Sequence, residues 1–225
     1  VHSSSLEDRW EILRILGRLV LRRLEAVHRC GLVHCDVQPA NIVLGEARRQ
    51  GGVEIFQQPF LVDFGNARPY PGGSPMKGHW GSVDFNSIRS AEGGARGPQD
   101  DVEALGWVLC HGLFGTLPWF PMSAEAKWLS ADGGEVLRCE ASQQVRWAKE
   151  RLLEEGAGAF GPTWAHLAEM PAELRAFLRR CREDGRHCET SDSGDAEAEV
   201  DSADVDAETA FEVEMDEGDE AAFEA

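Results

Sequence analysis

The stretch HCDVQPANIVL runs from His34 to Leu44, and a second segment, LVDFGNA, begins at Leu61. In the first, four residues separate Asp36 from Asn41; in the second, Asp63 directly precedes Phe64 and Gly65. Phosphoryl transfer needs hard oxygen ligands for one or two magnesium ions and a carboxylate that positions an acceptor hydroxyl. Asp36, Asn41 and Asp63 are the residue types for that work. Asp36 suits orienting the hydroxyl and accepting its proton, while Asn41 and Asp63 suit holding the metal. Gly65 lets the backbone turn sharply beneath phosphates. A lone Asp or Asn in a loop is ordinarily a turn former, so the joint spacing carries the reading.

Around this centre the chain patterns as mostly helical. From Leu6 to Cys30, apolar Trp10, Leu13, Val20, Leu24 and Val27 recur at three-and-four spacing, which predicts an amphipathic helix of about six turns. Gly31 suits a left-handed cap at its end. Asn41–Leu44 and Phe60–Val62 read as strands joined by a Gly- and Gln-rich loop. Residues 65–97 are rich in Gly, Pro and Ser, predicting a long irregular loop of the kind that usually carries function. Asp101–Gly115 is apolar nearly all round, so a buried helix is expected. Ser123–Ala159 predicts one or two helices, with Gln143–Glu155 the clearer. Pro171 opens a further helix with Leu174, Phe177, Leu178 and Cys181 on one face. No internal repeat is present.

The chain has 225 residues, 42% of them apolar, enough for one domain with a sizeable core. Its net charge of -18 is unevenly placed. Glu189–Ala225 holds 16 acidic residues and no Lys or Arg, while the remainder holds 24 acidic and 22 basic ones. The sequence therefore divides into a near-neutral domain, residues 1–185, and an acidic tail, residues 186–225, whose composition predicts disorder. Cys30, Cys35, Cys110, Cys139, Cys181 and Cys188 form no CxxC pair, which argues against a zinc site. Neither a signal peptide nor a membrane-spanning run is visible, and reduced thiols in the cytoplasm or nucleus are expected. The charge balance opposes nucleic-acid binding by the cluster Arg179, Arg180, Arg182 and Arg186. The patterning assigns no oligomeric state.

At the opening stretch a family resemblance becomes specific. HCDVQPANIVL followed by LVDFG resembles the catalytic and metal-binding loops of the protein kinases, H-R-D-x-x-x-x-N and D-F-G. Lys77–Trp119 is similar to the casein kinase I group and its vaccinia-related kinase neighbours, through Gly81-Ser82, Phe85, Ser87, DDVEALG and GTLPW. The likeness covers about Leu6–Asp184. It implies a mainly α (α+β) fold, the helical C-terminal lobe of a kinase with a small β element by the catalytic loop and no small N-terminal lobe. By that resemblance Asp36 is the catalytic base, and Asn41 and Asp63 hold magnesium. Asn41, Asp63, Phe64 and Gly65 line the ATP site, with His34, Gln38 and Asp101 in support. Asp101 would hydrogen-bond the catalytic loop, and Gly65–Ser87 would form the activation segment. ATP, Mg2+ and a protein substrate are implied, and the acidic tail offers a surface to basic proteins.

The pattern is broken in three places. Cys35 stands where the family usually has Arg, which weakens control by loop phosphorylation. Gln38 stands where Ser/Thr kinases usually have Lys, leaving an amide without the charge that stabilises a moving phosphoryl. The only lysines, Lys77, Lys127 and Lys149, all follow Asp63, so none fills the place of the ATP-anchoring lysine. With Val1 at the start, these gaps point to a fragment of a longer kinase or a product without its small lobe. Three readings stand: a casein kinase I-like Ser/Thr kinase, a pseudokinase-like binding module, and, disfavoured by DDVEALG and LPW, a small-molecule phosphotransferase. Cys35 is expected to be a buried, inert thiol, and Trp107 and Trp119 to be core. Lys77 could steer substrate, and Ser191, Ser193 and Ser202 adjoin acidic residues that attract acid-directed kinases.

Overall fold

A computed structural model describes residues 5–45, 48–50, 53–55, 58–72, 81–92 and 96–187. Lys77, Ser191, Ser193, Ser202 and nearly all of the acidic tail lie outside the described residues. The first helix, α1 (Leu6–Arg29), starts where Ser5 and Asp8 bond each other's backbone amides, at 3.0 and 2.9 Å. That reciprocal box satisfies two otherwise orphaned donors. The helix ends at Cys30, and Gly31 takes the expected left-handed conformation.

Three antiparallel strand pairs follow. They are β1 (Leu32–Val33) with β6 (Arg68–Pro69), β2 (Ile42–Leu44) with β5 (Pro59–Leu61), and β3 (Arg48–Gln50) with β4 (Val53–Ile55). The β2–β5 pair has Ile42 opposite Leu61, and Val62 N–H donates to Asn41 C=O at 3.0 Å just beyond it. The connection between these strands, expected as a plain loop, carries the β3–β4 hairpin instead, with Gln50 opposite Val53. Gly51-Gly52 between those two strands is a hairpin signal.

Three further α-helices follow, with short 3-10 helices among them. Helix α2 (Pro98–Phe114) is buried at every position from Pro98 to Cys110. Helix α3 (Phe120–Glu155) is one continuous element of 36 residues rather than two. Gly133 and Gly134 do not interrupt it, because each costs a helix only about 1 kcal/mol. Burial of Ala141, Val145, Ala148, Leu152 and Leu153 outweighs that cost. Helix α4 (Ala172–His187) buries Leu174, Phe177, Leu178 and Cys181.

One core joins α1, α2, α3 and α4. At its centre the rings of Trp107 and Trp119 meet edge to face, with centroids 5.3 Å apart. Helices α2 and α4 approach closely at Gly106, where an added Cβ would lie 2.6 Å from Leu178 Cδ2 and 3.0 Å from Phe177 Cε1. A Gly106→Val substitution should therefore overpack the crossing and lower stability by about 1–3 kcal/mol. Urea unfolding is the check, and an unchanged midpoint would contradict the packing described.

Candidate active site

The site begins directly after β1, where the chain makes a turn that its sequence alone disfavours. Cys35 sits at φ 62°, in the left-handed region, a placement costing a non-glycine residue on the order of 1 kcal/mol or more. The carboxylate of Asp101 holds it there. Its Oδ2 accepts from His34 N–H at 2.7 Å and its Oδ1 from Cys35 N–H at 2.8 Å. His28 Nε2 lies 2.9 Å from Oδ2. Asp101 is 1% exposed, so these bonds also satisfy a charge that burial would otherwise penalise heavily.

The turn delivers Asp36 to a crowded set of donors. Gln38 Nε2 and Ser82 N–H both donate to its Oδ1, each at 2.9 Å. Asn41 Nδ2 and Asn66 Nδ2 both donate to Oδ2, each at 3.2 Å. Asn41 Nδ2 also bonds the Asp36 carbonyl at 2.9 Å. All four donors are uncharged amides, so they orient the carboxylate without adding a cation beside it. Sequence reasoning singled out Gln38 and Asn41 but not Asn66. Its signal was its place immediately after Asp63-Phe64-Gly65.

Asp63 reaches the same region from β5. It adopts φ 63° and ψ 70°, accepts from Gly65 N–H at 3.3 Å, and is exposed. The backbone bond from Val62 to Asn41 makes Asp63 a close neighbour of Asn41 across the hairpin. Phe64 packs on His34, ring centroids 4.8 Å apart. His34 is fully buried and its Nε2 donates to Val62 C=O at 3.1 Å, while its Nδ1 has no partner among the described residues. His34 therefore clamps the two loops together. Asn41 and Asp63 offer an amide oxygen and a carboxylate, and magnesium takes few protein ligands while keeping waters and substrate phosphates. That donor set fits the ion.

Gly81 closes a further side of the site. At φ 74°, an added Cβ would stand 2.6 Å from Cys35 C=O, 2.9 Å from Asn86 Oδ1 and 3.2 Å from Asp36 Oδ1. Only glycine combines that conformation with that approach. Arg96 Nη1 donates to Cys35 C=O at 3.2 Å and to Asn86 Oδ1 at 3.3 Å. A guanidinium thus stands beside the loop although Cys35 has replaced the usual arginine.

With this geometry, the likeness of the chain to known proteins becomes informative. Residues 7–186 match the protein kinase domain, and the chain belongs to that family. Over 112 residues it is 35% identical to the human serine/threonine-protein kinase VRK2. That alignment covers 46% of this chain and 21% of VRK2. The grouping with the casein kinase I and vaccinia-related kinases, the reading taken from Lys77–Trp119, agrees with this relative.

Cys35 allows a direct test of the turn. Its side chain is 2% exposed, and burial first, then the charge of Asp101, pushes the thiol from 9.0 up to about 12. The reactive thiolate is therefore absent at ordinary pH. In the native protein at pH 8, iodoacetamide should label the exposed Cys30 and leave Cys35 unmodified, as read by peptide mass spectrometry. Labelling of Cys35 at the rate of Cys30 would show that the turn is open.

Proposed function

We propose that this chain carries the phosphoryl-transfer residues of a casein kinase I-like serine/threonine protein kinase, moving the γ-phosphoryl of ATP to a protein hydroxyl. The observation that carries this reading is the carboxylate of Asp36, fixed by Ser82, Asn66, Asn41 and Gln38 beside Asn41 and Asp63. In that role Asp36 orients the acceptor hydroxyl and takes its proton. Asn41 and Asp63 hold magnesium, which when bound would neutralise charge on the ATP phosphates. Phe64 and Gly65 keep the metal-binding turn in place, and Asp101 and His34 keep the loop in shape. Cytoplasmic or nuclear proteins are the proposed acceptors, a setting that suits the free thiols of Cys30, Cys35, Cys110 and Cys181. The acidic segment from Glu189 would add a docking surface for basic substrates.

In protein expressed from the full reading frame, Asp36→Asn should lower the turnover number for phosphate transfer to a protein acceptor by about 10²–10⁴-fold. Radiolabelled ATP provides the measurement. Equal, background-level transfer by wild type and variant would refute the enzymatic reading.

A second reading, a pseudokinase-like binding module, is favoured by one contact. The amide of Gln38 is occupied with Asp36 Oδ1 and brings no charge to the place where a phosphoryl would move. Lys149, buried in α3 at 1% exposure, cannot supply that charge. The two readings separate on nucleotide binding. A kinase should be stabilised by ATP with magnesium, by about 2.7 kcal/mol at a hundredfold excess over Kd, whereas the module should show no shift in Tm. On the reading that the chain carries only the helical lobe, it supplies one wall of such a cleft and on its own is expected to turn over poorly.

A further inference from the structure

The turn that faces Asp36 is also held from behind, by groups outside the site. Residues 82–88 fold back on themselves, with Phe85 N–H and Asn86 N–H both donating to Ser82 C=O, at 3.1 and 2.9 Å. The front of the turn presents Ser82 N–H to Asp36. Three buried side chains grip its back at alternating residues. Trp119 Nε1 donates to Asp84 C=O at 3.0 Å, Lys149 Nζ to Asn86 C=O at 2.6 Å, and Glu103 Oε1 accepts from Ile88 N–H at 2.8 Å. Glu103 Oε1 also accepts from Trp107 Nε1 at 3.0 Å.

Lys149 is an unusual choice for this place. It is 1% exposed, and its ammonium lies 5.2 Å from the centroid of the Trp107 ring and 5.4 Å from that of Trp119. Burial pulls the lysine down from its ordinary range and pushes Glu103, 3% exposed, up from its own. The opposite charge of each opposes the shift of the other. An apolar side chain of similar volume would avoid both desolvation penalties, so stability alone does not explain the pair. What a lysine and a glutamate supply, and a methionine cannot, is a fixed direction for Asn86 C=O and Ile88 N–H.

We propose that Lys149 and Glu103 are a positioning pair that holds the Ser82–Ile88 turn against Asp36 and so sets where a protein acceptor lies. The inference rests on the kinase reading for its consequence in catalysis, but not for its structural half. Neither residue touches a reacting atom. Lys149 acts through the Asn86 carbonyl, Glu103 through the Ile88 amide, and both through Ser82 on the carboxylate of Asp36.

The test uses Lys149→Met and, as a second variant that removes the acceptor for Ile88 N–H, Glu103→Leu. In hydrogen exchange of the whole chain, Lys149→Met should speed exchange of the amides of residues 82–88 by about tenfold, the weight of one hydrogen bond made by a charged group. Amides of α2 from Ala104 to Cys110 should keep their protection. If Lys149→Met raises exchange everywhere, Glu103→Leu must show the local effect in a folded background. Wild-type exchange at residues 82–88 in a folded variant overturns the proposal. In the full-reading-frame enzyme, KM for the protein acceptor should rise about tenfold with KM for ATP unchanged, a split expected of acceptor positioning alone. A parallel rise in both constants also overturns it. Should the wild type transfer no phosphoryl at all, the kinase reading falls, while the exchange result still decides whether the pair holds the turn.

Discussion

The site depends on one buried carboxylate placed at the start of a buried helix. Asp101 is fixed in space by α2, whose apolar surroundings leave the helix no freedom to shift. From there it receives the amides of His34 and Cys35 and the ring of His28. Those bonds stabilise the left-handed backbone of Cys35, and that backbone points Asp36 into the opening. Each link is a short-range interaction, yet together they tie α1, β1 and α2 to the orientation of a single carboxylate. Without the acceptor oxygens of Asp101, the loop would leave two buried amides unpaired and hold a strained turn with nothing to offset it.

From that anchor the rest of the site follows a division of labour. The β2–β5 pairing, extended by the bond from Val62 N–H to Asn41 C=O, registers Asn41 and Asp63 without a direct contact between them. His34 packs against Phe64 and bonds Val62, joining the loop after β1 to the loop after β5. The turn at residues 82–88 supplies the third side and is braced by the aromatic pair Trp107 and Trp119 with Lys149 and Glu103. Neutral amides surround Asp36, while cations stand further back, on Arg96 and Lys149. A site of this kind orients the carboxylate through neutral donors and keeps positive charge at a distance.

Much of this was legible in the sequence because it is local. The period of α1, the glycine after it, the proline before α4 and the spacing of Asp36, Asn41 and Asp63 are properties of neighbouring residues. The nearly all-round apolar character of Asp101–Gly115 announced its burial. What stayed open was also local: the patterning of Ser123–Ala159 allowed one helix or two, and the packing of Val145, Ala148 and Leu152 goes with one. The Gly51-Gly52 pair passed for loop composition, although it sits between the two strands of a hairpin.

Sequence by itself therefore determined the helical class, the kinase resemblance and the oxygen-bearing residues, since each depends on composition and spacing along the chain. Tertiary structure alone decided which groups meet. No pattern connects Ser82 to Asp36, Arg96 to Cys35, or Lys149 to Asn86. Those contacts join residues far apart in the chain, and hydrogen-bond geometry follows from where the core places each backbone. The same physics gives Lys149 its role. As a letter in the sequence it reads as one more surface lysine on a helix, and only burial between two tryptophans makes it a brace.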